Sequence, residues 1–272
     1  MRAGRVTVNG AVVRELGARA DPARDTIAVD GERIARRARR TILLHKPRGV
    51  VSTLADPEGR PTVRDLLAGV PERLYPVGRL DVNTTGLLLL TNDGALAQAL
   101  LHPRRAVPRI YHAKVRGTPS EDALTRLRRG VRLEDGKTAP ARVRVLARRP
   151  TKTWLEVTVR EGRTHLVRRM CAAVGHPIEK LARVRLGPLA LGVLAPGAWR
   201  DLGRRELAAL SGAAGLRPPP AARAALATVR RGHGTPPRRP PPRSAPRPPG
   251  GPRARRPPSI RARAPSPTSP RS

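Results

Sequence analysis

The residues with the clearest chemical potential lie in one segment, GRLDVNTTGLLLLTNDG, at positions 78–94. It sets a single carboxylate, Asp81, on a Gly- and Thr-rich loop directly ahead of an apolar run, in a chain that is otherwise strongly positive. A carboxylate so placed can attack an electron-poor carbon, stabilise positive charge or remove a proton. A second segment, THLVRRMCAAV at 164–174, reads as a helix. Leu166, Val167, Met170, Cys171 and Val174 share one of its faces, and His165, Arg168 and Ala172 line an adjoining stripe. Arg168 therefore stands beside the core. Surface charge is the ordinary reading of any one arginine in so basic a chain, and complementarity with a lone loop aspartate is what weighs against it here.

The elements that position these groups sit in a chain of 272 residues with 55 Lys plus Arg, 20 Asp plus Glu and a formal charge of +35. Nucleic acid is the partner such a charge implies, and arginine's planar fork suits phosphates and base edges. No apolar run of roughly 18 residues is present, and none follows Met1 as a signal peptide would, so a membrane partner is not expected and a cytoplasmic protein is. The lone Cys171 cannot form an internal disulfide, and the six histidines show no metal-ligand spacing with it, so neither metal nor cofactor is expected. Phe is absent and aromatics make up 1% of the chain, which leaves the core to Leu, Val and Ala and few rings to stack on bases.

Composition divides the chain. GRVTVNG (4–10) and DTIAVDGERI (25–34) alternate around Asn-Gly and Asp-Gly, the signature of hairpins, so residues 1–35 form a small β unit. Residues 36–40 make a basic linker, read equally as a solvated cluster or as an RNA contact. The body runs over 41–212 with strands and helices interleaved. Gly86 to Thr91 reads as a strand buried on both faces. Asn92 and Asp93 offer a cap to a helix over Ala95–Leu101, and Ser120 starts another that Gly130 closes. RVRVLAR (142–148) and TWLEVTVRE (153–161) form a hairpin across residues 149–152. This mixture with antiparallel connections predicts an α+β fold. After Glu206 there is no acidic residue, and residues 213–272 turn into a Pro- and Arg-rich tail predicted to be disordered. The tail is read either as a loose, salt-dependent RNA binder or as a solubilising extension.

GRLDVNTTGLLLLTNDG, together with HKPRGVVST (45–53), RIYHAKV (109–115) and EGRTHLVRRM (161–170), resembles the bacterial ribosomal RNA pseudouridine synthases of the RsuA and RluB type. The likeness spans roughly residues 41–210, with the four motifs in the order the family has them. It implies the pseudouridine synthase catalytic fold with a mainly antiparallel central sheet. The head resembles the second half of the family's small N-terminal RNA-binding domain, lacking the two helices that normally precede GRVTVNG, and a start upstream of Met1 is the expectation.

By that resemblance Asp81 is the catalytic aspartate, Arg168 its ion-pair partner and Tyr111 the ring that stacks on the target uracil. The reaction breaks the bond between ribose and the ring nitrogen, turns the uracil and rejoins it through carbon 5. It needs no redox change, metal or outside group. For that role Asp81 must stay ionised while sheltered from water, and a nearby cation favours this. A base inside folded RNA must be extruded, at a cost of a few kcal/mol. Arg79, near the aspartate, is the expected wedge or phosphate anchor. Lys46, Arg48, Arg163 and His165 are expected substrate contacts, and Asn83, Thr84 and Thr85 are expected to brace the loop. His165 stands where this subgroup usually has Arg, in a GRTH string similar to the related RluA type, and Leu166 replaces a common Gln.

Three functions compete on these residues. An rRNA uridine isomerase acting as a monomer is favoured, because all four motifs are retained. A non-catalytic ribosome-assembly factor on the same fold would not need Asp81, and a DNA-compacting protein driven by the tail would bind without regard to sequence. HKPRGVVSTLADPEGRPTV resembles the RluB branch, so large-subunit rRNA is the expected substrate and small-subunit rRNA the runner-up.

Overall fold

A computed structural model describes residues 1–21, 24–34 and 38–216. Arg36 and Arg37 of the basic linker and the Pro- and Arg-rich stretch from Arg217 onward lie outside the described residues.

The head is a four-stranded antiparallel sheet of β1 (Val6–Val8), β2 (Ala11–Val12), β3 (Ile27–Val29) and β4 (Glu32–Arg33), in the order β2-β1-β3-β4. Both hairpins turn on two left-handed residues, Asn9-Gly10 (φ 52° and 85°) and Asp30-Gly31 (φ 53° and 82°). That pairing gives the tight turn whose twist matches the strands. Asn9 ties the sheet further, donating to Asp25 at 3.0 Å and accepting from the Thr26 amide at 2.9 Å. No described residue of the head is fully buried.

The body follows with β5 (Thr41–Lys46), β6 (Tyr75–Pro76), β7 (Thr84–Thr91), α1 (Gly94–Leu101), β8 (Arg109–Arg116) and α2 (Glu121–Arg129). Next come β9 (Arg132–Leu133), β10 (Gly136–Lys137), β11 (Arg142–Arg149), β12 (Lys152–Val159) and α3 (Leu166–Ala173). The last elements are β13 (Ile178–Leu186), β14 (Leu189–Ala190), β15 (Trp199–Asp201) and α4 (Arg204–Ala213). The central sheet has nine strands along the path β11-β12-β8-β13-β7-β5-β15, with β6 and β14 paired at its margins. Among the described strands of this sheet only β7 and β13 pair in parallel, so the fold is α+β and mainly antiparallel. No helix among the described residues is long and apolar enough to cross a membrane.

Leu87, Leu88, Leu89 and Leu90 of β7 are all inaccessible. Leu88 and Leu90 pack with Ile42 and Leu44, while Leu87 and Leu89 pack with Leu43 on the opposite side. The double burial expected of this strand is present. Asp93 caps α1 by accepting from the Leu96 amide at 3.2 Å, and Ser120 caps α2 through the Ala123 amide at 3.2 Å. The 142–161 hairpin turns over only two residues, Pro150 and Thr151, because its strands extend further than their alternation showed. Helix α3 starts at Leu166 rather than residue 164, since His165 takes a left-handed conformation (φ 53°) that a helix cannot include.

The described end of the basic linker is tied to the body. Arg39 pairs with Asp93 at 3.1 Å, and Arg40 pairs with Glu72 and Asp201, each at 2.7 Å, over the ring of Trp199. Arg40 is thus engaged with the body's own acids instead of facing solvent or RNA.

Candidate active site

One face of the sheet builds the site. Along β8, alternation sends Arg109, Tyr111, Ala113 and Val115 to the same side. On β12, Val157 lies opposite Tyr111 and Leu155 opposite Ala113; on β13, Arg183 lies opposite Tyr111 and Leu181 opposite Ala113. Ala113, Val115, Leu155, Val157 and Leu181 are capped by apolar residues of α2 and α3, including Leu124, Leu127, Val167 and Met170. A second cluster around Ile42, Leu44, Leu88 and Leu90 occupies another part of the core, and Tyr111 packs against both clusters. A cavity of about 180 Å³ is lined by Asp81, Tyr111, Arg168 and Arg79, with Arg109, Arg163, His165 and Arg183 also on its wall.

Asp81 is held in place by its loop. Ser52 clamps the preceding residue, its hydroxyl donating to the Leu80 carbonyl at 2.8 Å and accepting from the Leu80 amide at 3.0 Å. The Thr84 amide donates to the Asp81 carbonyl at 2.9 Å, and the Thr84 hydroxyl to the Asp81 carboxylate at 3.1 Å. From α3, Arg168 reaches the same carboxylate oxygen with Nε at 3.4 Å, while its Nη2 donates to the Asn83 carbonyl and the Thr84 hydroxyl, both at 3.2 Å. His165 Nε2 lies 3.3 Å from the other carboxylate oxygen. The left-handed turn at His165 brings both side chains to one carboxylate. Asp81 keeps 30% of its side-chain surface open.

The other expected contacts divide. Arg79 is exposed on the cavity rim with no acidic partner among the described residues. Arg48 donates to the Asn83 side chain at 3.1 Å, bracing the aspartate loop from the HKPRG segment. Lys46 differs from its expected place at the RNA surface, because it is fully buried. Its ammonium donates to the carbonyls of Pro47 (2.9 Å) and Thr84 (3.0 Å) behind Asp81, and burial pulls its pKa to about 8 although the Asp81 charge opposes the shift. Arg163 is engaged with Glu161 at 3.0 Å and with the Lys137 carbonyl at 2.8 Å, which fastens the β9–β10 hairpin beside the cavity. Leu166, where the resemblance led to a Gln, is buried in the core.

Two wall residues were not singled out from the sequence, Arg183 and Arg109. The signal existed in LARVRLG, where alternation places Arg183 on the same face as Leu181. Cys171 is buried on the inner face of α3, which pushes its thiol up to about 12 and leaves it unreactive.

A model of the family described as RNA pseudouridylate synthase matches residues 40–173. The chain is 46% identical over 215 residues to an uncharacterized RNA pseudouridine synthase of Aquifex aeolicus, an alignment covering 79% of this chain and 86% of that one. It is 44% identical over 209 residues to the ribosomal large subunit pseudouridine synthase B of Bacillus subtilis, covering 76% and 85%. A crystal structure of a pseudouridylate synthase superposes with a TM-score of 0.60 at 29% identity, over 77% of this chain and 90% of the other.

Proposed function

The chain belongs to the RNA pseudouridylate synthase family, and from that premise we propose that it converts a specific uridine of large-subunit ribosomal RNA to pseudouridine, with Asp81 as the catalytic carboxylate. The relatives named for the ribosomal large subunit support that substrate. The observation that carries the assignment of Asp81 is its setting. Asp81 stands on the same cavity wall as Tyr111, with Arg168 on one carboxylate oxygen and His165 on the other, and it keeps 30% of its side-chain surface open.

The geometry supports the following division of labour. The target nucleotide leaves its RNA stack and enters the cavity, and the few kcal/mol this requires are offset by stacking on Tyr111 and by Arg79 at the rim. Asp81 meets the ribose carbon as its bond to the ring nitrogen breaks. Arg168 holds the carboxylate aimed, and His165 touches its second oxygen. Tyr111 keeps the uracil in place while it turns. Arg48 and Lys46 brace the loop from behind, and Arg163 sets one wall. The residues 1–35 unit presents the RNA to the 41–212 body. The enzyme acts as a monomer in the cytoplasm.

Replacing Asp81 by Asn or Ala tests the reading. Each variant is expected to lose pseudouridine formation while melting within a few degrees of the wild type. Mapping pseudouridines in rRNA from cells with and without the gene is expected to show a site missing from the large subunit. A site lost from the small subunit would change the substrate. An active Asp81→Asn enzyme would remove the proposed role, and an unchanged map would favour a non-catalytic assembly factor.

A further inference from the structure

Two guanidinium groups on the cavity wall have no part in that scheme. Arg183, in the middle of β13, is 3% exposed. Its Nε donates to the Leu87 carbonyl at 2.8 Å. Its Nη2 is the one buried side-chain nitrogen or oxygen among the described residues with no hydrogen-bond partner. Arg109, at the start of β8, lines the same cavity and is largely buried. Burial pushes the Arg109 pKa below its ordinary value; Tyr111 opposes the shift, and the charge of Arg183 adds to it. No carboxylate pairs with either arginine among the described residues.

The sheet brings the two together. Arg183 is the cross-strand partner of Tyr111, and Arg109 lies two residues before Tyr111 on the same face. A buried cation without a counter-charge is disfavoured, and a second cation on the same low-dielectric wall makes it worse. The wall is therefore electrostatically incomplete until something anionic arrives. A backbone phosphate has the exposed Arg79 to meet it at the rim. A group buried as deeply as Arg183 is within range only of the part of a nucleotide that enters furthest, the base.

The base becomes anionic during the reaction. When the bond from C1′ to N1 breaks, its electron pair stays with the uracil, and the negative charge spreads over N1, O2, O4 and C5. We propose that Arg109 and Arg183 form a receiving wall for this detached uracil, holding its charged carbonyl edge while the ring turns to present C5 to C1′. The proposal rests on the uridine-isomerase reading above. Positive character at C1′ is met by Asp81 throughout. The new bond from C1′ to C5 uses the ring's own electrons, C5 then loses its proton and N1 gains one. The product uracil is neutral, the attraction falls away and the nucleotide is released. Neither arginine gives up a proton.

The test uses the full-length enzyme and a large-subunit rRNA fragment that the wild type modifies, carrying uridine or 5-fluorouridine at the target. Fluorine withdraws negative charge from the ring, so a fluorinated uracil depends less on the wall. Arg183→Met and Arg109→Met are expected to slow single-turnover cleavage of the C1′–N1 bond by about a hundredfold or more with uridine, leave RNA affinity within about threefold, and recover about tenfold with 5-fluorouridine. Arg183→Lys, which keeps the charge, is expected to lie between. Equal deficits on both substrates would show a merely structural role, and a fall in affinity with an unchanged rate would show a phosphate anchor; either overturns the proposal. If Arg183→Met does not fold, as circular dichroism would show, Arg109→Met decides on the same criteria. A wild type that converts no uridine in any rRNA fragment would instead remove the underlying reading.

Discussion

Lys46 shows how single residues in this site are set by what surrounds them. Its ammonium has a pKa of about 8 in the fold against an ordinary 10.5. At pH 7 it is charged in both folded and unfolded chains, so the fold carries the full cost of a buried cation. Above pH 8 the folded protein sheds this proton while the unfolded chain keeps it until about 10.5. The unfolded state then binds more protons, so stability rises with pH across that window. Relative to Lys46→Met, the wild type is expected to gain on the order of 3 kcal/mol between pH 8 and 10.5 in urea titrations; parallel curves would refute the buried charge. Arg168 makes a different demand, for shape. A lysine there cannot serve the Asp81 carboxylate, the Asn83 carbonyl and the Thr84 hydroxyl together. Losing one charge-assisted hydrogen bond, about 1.5–3 kcal/mol, predicts that Arg168→Lys lowers kcat roughly tenfold to a hundredfold with KM little changed. Asp81 and Arg168 were legible in the sequence because an acid in a basic chain and an arginine at a core edge each break a pattern. Lys46 was misplaced because a lysine in a loop motif looks the same whether its ammonium points out or in.

At the scale of elements, capping and periodicity carried most of the fold. Asp93 and Ser120 mark their helices, and the four leucines of β7 mark a central strand. Asp93→Ala is expected to cost about 1 kcal/mol of stability with RNA affinity unchanged, by thermal melting and filter binding respectively. What was illegible was partnership across the sheet. Nothing local in the sequence tells that β7 lies parallel to β13, or that Gly86 faces Arg183. Yet that pairing sets the site: Gly86 has φ +110°, and a Cβ there would lie 2.2 Å from the Arg183 carbonyl oxygen. Gly86→Ala is expected to destabilise by about 3 kcal/mol or more, from backbone strain plus overpacking. Urea denaturation checks this, and a neutral result would mean that β13 can move aside. The 164–174 helix was mistaken chiefly at its start, since a left-handed histidine has no sequence signature comparable to glycine's.

For the molecule as a whole, charge is distributed by task. Arg40 is bound to Glu72 and Asp201, and Arg163 to Glu161, so these cations hold the body together and contribute little to attracting RNA. Fourteen arginines and no acid follow Leu216. If they meet phosphates, a chain ending at Leu216 will show a shallower dependence of RNA affinity on salt, by about 0.7–0.9 in the log–log slope for each phosphate no longer neutralised. Identical slopes would assign the residues after Leu216 to solubility alone. The buried thiol of α3 has a practical counterpart at this scale. Cys171 is the chain's only cysteine, and it is shielded from reagents at neutral pH. A cysteine introduced at an exposed position such as Arg79 would be the sole reactive sulfur, giving the native background a single address for a fluorophore or a crosslinker to RNA.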